Sequence, residues 1–134
     1  MIVFYIELFF VTLLAFFAID IVWLAVVSKK FYSRHLGYLM APKPRWAAAI
    51  VFYLLFIGGL LLFVVAPGLQ ADSLGRTLLL AACFGLVTYA TYDLTNLATV
   101  KDWPLVITIV DLAWGTTLSI LVSLVSFLAG KFLL

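Results

Sequence analysis

Three aspartates, Asp20, Asp93 and Asp111, stand inside long apolar stretches of chain whose only other charges are Glu7 near the start of the first and Lys131 near the end of the last. A central carboxylate costs a membrane-spanning helix roughly 2.5–3.5 kcal/mol on the insertion scale, so three cost about 8–10 kcal/mol. Helix-to-helix hydrogen bonds, at roughly 0.6 kcal/mol each, return little of that. Their depths agree as well. Asp20 lies 8 residues before Ser28, Asp93 lies 8 before Lys101, and Asp111 lies 9 after Asp102. At about 1.5 Å per residue, each sits on the order of 12–14 Å from the same side of a bundle whose helices alternate in direction. No Lys, Arg or His falls near the three aspartates within these stretches, the one basic residue being Lys131 at the far end of the last. Carboxylates crowded at one level in a medium of low dielectric cannot all ionise unless a cation joins them.

The neighbours extend the pattern. Tyr89, Tyr92, Asp93 and Asn96 fall at i, i+3, i+4 and i+7 and share one helical face, with Thr88, Thr91, Thr95 and Thr99 as the adjacent stripe. A span this polar is expected to turn its stripe inward against its neighbours. Thr108, Asp111, Gly115 and Ser119 share a face by the same spacing, and Tyr53 reaches the same level from another helix. Asp20-Ile-Val-Trp23 and Asp111-Leu-Ala-Trp114 both read Asp-x-x-Trp on helices of opposite direction, by a weak duplication, coincidence or a common packing need. Oxygens of Asp, Asn, Thr and Tyr suit a proton, sodium or a hard ion, and Trp23, Trp114, Tyr89 and Tyr92 suit an aromatic cage around an amine. Asp93 has the most polar neighbours on its own face, so it is expected to be the best supplied with donors and the one to carry charge. Asp20 and Asp111, each with an indole three residues away, are expected to be mainly neutral.

The elements that must position these residues follow from composition. The 134 residues are 67% hydrophobic and 10% charged, with a mean hydropathy of +1.29. An ordinary soluble domain is about 45–50% apolar and about 25% charged. Eight Lys+Arg and six Asp+Glu cannot clothe a water-facing surface of this size. A hydrocarbon core of roughly 30 Å takes about 20 apolar residues per helix, and four predominantly apolar runs fit, over about 2–27, 47–66, 77–98 and 104–134. The fold class is therefore an all-α integral membrane protein, a single four-helix transmembrane bundle, with a short amphipathic interfacial segment after the first helix. That segment carries Tyr32, Leu36, Leu39 and Met40 at helical spacing. The first run lacks a basic start and contains Asp20, so it reads as a retained span rather than a secretory signal.

Lys29, Lys30, Arg34, Lys43, Arg45 and Lys101 occupy the first and third connections, against only Arg76 and Lys131 on the opposite side. Six against two places the first and third loops in the cytoplasm and both termini in the periplasm. Lys29, Lys30, Arg34, Lys43 and Arg45 are then candidates for contact with anionic headgroups, or they form a solvated loop that only fixes topology. His35, in the same loop, reads as a polar surface group. Gly58-Gly59 and Gly115-x-x-x-Ser119-x-x-x-Ser123 suit close helix contacts or dimerisation. Cys83, among Ala81, Ala82 and Gly85, reads as an inert packed thiol. One Cys and one His exclude disulfides and Cys/His zinc sites. No motif of acyl, phosphoryl or hydride transfer or of zinc proteolysis is present, no cofactor or metal site is assigned, and nucleic acid is not an expected partner.

Tyr89-Ala-Thr-Tyr-Asp-Leu-Thr-Asn-Leu-Ala-Thr-Val-Lys-Asp-Trp-Pro104 and Val110-Asp-Leu-Ala-Trp-Gly-Thr116, together with Asp20-x-x-Trp23 and Phe31-Tyr-Ser-Arg-His-Leu-Gly37, resemble the signature of domain-of-unknown-function family 2177, small predicted bacterial membrane proteins. The resemblance covers nearly the whole chain. It implies four helices in a bacterial inner membrane and no established activity, and it favours a role near lipid chemistry. The leading functional reading is a small intramembrane binding protein. In this reading Asp20, Asp93 and Asp111, with Tyr89, Tyr92, Asn96, Trp23, Trp114 and Tyr53, take up a proton-linked cation or an amine such as a lipid headgroup. Transport by so small a bundle would need a homodimer. A second reading is an enzyme or accessory protein of membrane fatty-acid or phospholipid modification, with one Asp as acid or base. A third is an assembly subunit without a ligand. The residues leave open whether the protein is an enzyme.

Overall fold

In hydrocarbon every backbone N–H and C=O must be satisfied within its own segment, and a chain with runs this apolar answers with helices. The computed structural model describes residues 1–134 and contains no strand. The helices are α1 (Ile2–Trp23), α2 (Lys29–Leu36), α3 (Trp46–Leu60), α4 (Ala66–Gln70), α5 (Leu74–Thr99) and α6 (Leu105–Leu133). Two π-turns, Leu24–Ser28 and Leu61–Val65, join α1 to α2 and α3 to α4 without a break. Four continuous helices result, Ile2–Leu36, Trp46–Gln70, Leu74–Thr99 and Leu105–Leu133, each long and apolar enough to cross a membrane.

The bounds differ from expectation at the connections. The first helix runs 35 residues, more than the roughly 20 needed to cross, so its basic tail is a continuation of the span rather than a separate surface helix. Leu39 and Met40 lie beyond its end in a turn and are exposed, so they do not extend an amphipathic face. Pro67 directly follows the π-turn Leu61–Val65, where the regular backbone ladder is already interrupted, and the second helix continues past it to Gln70. Ser73 caps α5, its hydroxyl accepting from the Arg76 N–H at 3.1 Å.

α6 is the central helix. It packs most extensively against α5 and next against α1, and its inward face is small: Gly115, Ser119, Ser123, Ser126 and Gly130 are all buried. Lipid tails are as apolar as Leu, so helices in a membrane are held by close van der Waals fit, which small residues permit. A Cβ on Gly85 would strike the Ser119 side chain at 2.6 Å, and one on Gly115 would overlap the Tyr89 ring. These two glycines set the α5–α6 spacing beside the aspartates. Gly58 does no such work, since a Cβ there meets nothing within 4 Å. The Gly115–Ser119–Ser123 stripe is spent inside the bundle and is closed to a second copy. Thr12 of α1 and Ser126 of α6 pair hydroxyls at 2.7 Å, while Trp23 meets Trp114. Rising numbers on one helix meet falling numbers on the other, so α1 and α6 run antiparallel.

Candidate functional site

At the end of the bundle that carries the Ser28–Arg45 connection, α1, α2, α3, α5 and α6 enclose a cleft of about 470 Å³. The Asp-x-x-Trp echo builds one wall. Because α1 and α6 are antiparallel, Trp23 and Trp114 come face to face, with ring centroids 4.3 Å apart and planes inclined by 7°. The repeat thus brings its two indoles into one packed pair. Each acid follows its indole into the cleft, and both Asp20 and Asp111 line it. The Trp114 indole is the polar neighbour of the Asp20 carboxyl. Tyr53 enters from α3, packed on Phe16 and Phe17 at 5.5 and 5.3 Å between ring centroids. Tyr89, seated on Gly115, sends its hydroxyl within electrostatic reach of Asp20, Asp111 and Asp93.

Tyr32 is the functional residue that periodicity misplaced. Its hydroxyl donates to Asp111 Oδ1, although the sequence places Tyr32 on a membrane-facing amphipathic segment. The cause is the π-turn, which inserts one residue into the helix. Over twelve residues from Asp20, a regular helix at about 100° per step would leave Tyr32 about 120° from the Asp20 face. With one residue absorbed by the π-turn, eleven regular steps bring it to within about 20°. Tyr38 adds a second tie from the same connection, its hydroxyl donating to the Asp102 carbonyl at 2.5 Å.

Asp93 differs from its expected setting. It is 0% exposed, it does not line the cleft, and neither carboxyl oxygen has a hydrogen-bond partner. Its side chain faces Asp111 across the α5–α6 contact. The backbone is held in place there: Thr108 Oγ1 donates to the Asp93 carbonyl at 3.4 Å, and the buried Trp103 Nε1 donates to Thr108 Oγ1 at 3.1 Å. Of this buried pair, Asp111 and not Asp93 is therefore the acid supplied with a donor. The spacing rule that credited Asp93 with donors counted its own helix, whereas the relevant donor comes from α2.

Other expectations are corrected by the same geometry. Only Thr88 of the threonine stripe turns inward, lining the cleft; Thr91, Thr95 and Thr99 are exposed, each bonding the carbonyl four residues back. A hydroxyl satisfied in this way can face lipid at low cost. Tyr92 lines the cleft edge with 59% of its surface exposed and stands edge-on to Trp103 at 5.8 Å, and Asn96 lies beside Tyr92 outside the cleft. Cys83 is exposed rather than packed.

No Lys, Arg or His lines the cleft. Lys29, Lys30, Arg34, Lys43 and Arg45 are all exposed at the same end of the molecule, and the single ion pair, Lys131 with Asp72, is at the other end. No three Asp, Glu, His or Cys side chains converge on a point that could hold a metal ion. The three carboxylates thus divide into a buried pair, Asp93 with Asp111, and Asp20 across the cleft.

No curated protein and no solved structure matches this chain. The model of a family described as "Predicted membrane protein (DUF2177)" matches residues 5–128, and over that share of its length the chain belongs to this family of membrane proteins.

Proposed function

We propose that the cleft binds an organic ammonium ion. Asp20 and Asp111 supply the negative charge, and the Trp23–Trp114 stack, Tyr53 and Tyr89 supply the walls. The observation that carries this reading is that two carboxyl groups open onto one aromatic cleft that receives no cation from the protein. A volume of about 470 Å³ falls in the range of small-molecule sites, roughly 300–1,000 Å³. An ammonium over desolvated aromatic faces gains about 2 kcal/mol, and the aromatic lining accepts the apolar substituents that a metal ion lacks. An amine of a lipid headgroup belongs to this class. The same reading places the basic Ser28–Arg45 end at the cytoplasmic face of a bacterial inner membrane, where Lys29, Lys30 and Arg34 meet anionic headgroups.

The test is binding of benzyltrimethylammonium in detergent, followed by tryptophan fluorescence, against its uncharged carbon isostere neopentylbenzene. Wild type is expected to bind the cation and not the isostere, and Asp20→Asn and Asp111→Asn are each expected to weaken binding about tenfold or more. Equal response to the two compounds would reduce the cleft to an apolar crevice and end the proposal.

A further inference from the structure

Asp93 has no part in the cleft as described, yet it is the most completely buried ionisable group in the chain, 0% exposed with both carboxyl oxygens unpartnered. A buried polar atom without a partner costs about 1–3 kcal/mol, and more when charged. The groups around it are few. α6 presents Asp111 and the Thr108 hydroxyl, the latter already engaged with the Asp93 carbonyl. α2 presents Tyr32, which donates to Asp111. The Tyr89 and Tyr92 hydroxyls, on α5 itself, lie within electrostatic reach, and Asp20 of α1 reaches Tyr89. No cationic side chain is among them. A proton lying between Asp93 and Asp111 would give Asp93 the donor that nothing else in the structure offers and would relieve the repulsion of two adjacent carboxylates.

We infer that Asp93 and Asp111 form a two-carboxyl proton site behind the cleft, and that loading an ammonium ion onto Asp111 expels a proton from it. The second half rests on the ammonium reading above; the first half stands on the buried pair alone. Charge balance drives the exchange. A site of low dielectric holds its net charge nearly constant, because each uncompensated charge is expensive there. One ammonium enters intact, one carboxyl O–H bond breaks, and the proton leaves through the cleft to bulk water. The charge of the site is the same before and after. Asp93 is the positioning residue of this exchange: it touches no ligand and acts through Asp111.

Two measurements test it. In ligand-free protein at neutral pH, infrared difference spectra are expected to show a protonated-carboxyl band that is lost in both Asp93→Asn and Asp111→Asn. Absence of that band from wild type overturns the inference even if ammonium binds. Benzyltrimethylammonium has no titratable proton, so any pH dependence of its binding belongs to the protein. Linkage predicts an apparent affinity that rises about tenfold per pH unit while the empty pair holds its proton, with about one proton released per cation bound. In Asp93→Asn the slope should flatten and the release fall away while binding persists. An unchanged slope in Asp93→Asn overturns the coupling. A wild-type band without ammonium binding at any pH also overturns the coupling and with it the ammonium reading, while supporting the proton site itself.

Discussion

Replacing Tyr32 by Phe removes one hydroxyl and keeps the ring. That hydroxyl is the donor to Asp111 and, with Tyr38 to the Asp102 carbonyl, one of two side-chain hydrogen bonds by which the α2 region is held to the α5–α6 side of the bundle. A hydrogen bond to a charged group contributes about 1.5–3 kcal/mol, which is a factor of about 10–150 in the equilibrium between docked and undocked α2. Hydrogen exchange of the Lys29–Leu36 amides should accelerate by that factor, with α5 and α6 unchanged. The effect on binding has the opposite sign. In wild type a cation must displace the Tyr32 hydroxyl to reach Asp111; in Tyr32→Phe the carboxyl is free, so benzyltrimethylammonium should bind more tightly. Unaltered exchange in α2 together with weakened cation binding would refute the reasoning, since Tyr32 would then be a ligand for the cation rather than its competitor.

Gly115→Ala places a methyl inside the Tyr89 ring. It should lower stability in detergent by about 1–3 kcal/mol, whereas Gly58→Ala, with open space around it, should be neutral or stabilising; thermal melts of the two compare them. A double-mutant cycle of Trp23→Leu and Trp114→Leu should show a coupling of about 0.5–1.5 kcal/mol for the stacked pair, and additivity would contradict the stacking. Thr95→Val should leave the melting temperature nearly unchanged, because its hydroxyl bonds only its own helix; a large loss would mean that the stripe meets a partner. Cys83, exposed on α5, should react with a membrane-permeant maleimide in the folded protein, and protection until denaturation would place it inside an interface.

The four spans are readable from the sequence because hydrocarbon imposes a length on each apolar run, and the common level of Asp20, Asp93 and Asp111 is readable because a helix has a fixed rise. Both are properties of single helices. What the residues did not disclose depends on how helices meet or on a break in regularity. Tyr32 was hidden by one inserted residue at Leu24–Ser28, which rotates the face of everything beyond it. Beyond Thr88 the threonine stripe faces outward because a Thr hydroxyl can close on its own helix, leaving periodicity blind to which face is wet, packed or lipid-facing. Asp93 and Asp111 stood at one depth in the sequence. Only the packing of Gly85 and Gly115 shows that one is sealed behind the other.

The central claim is that Asp20 and Asp111 hold one cation between them in the aromatic cleft. Anomalous diffraction from crystals grown with 4-bromobenzyltrimethylammonium tests it most directly, because the bromine marks the ligand and its orientation. The account predicts one bromine site against Trp23, Trp114 or Tyr53, with the ammonium group between the Asp20 and Asp111 carboxyls and the Tyr32 hydroxyl displaced from Asp111. Bromine found instead in the apolar groove between α1 and the π-turn and α4 that follow α3, beside Phe9 and Leu62, with the cleft unchanged, would contradict it.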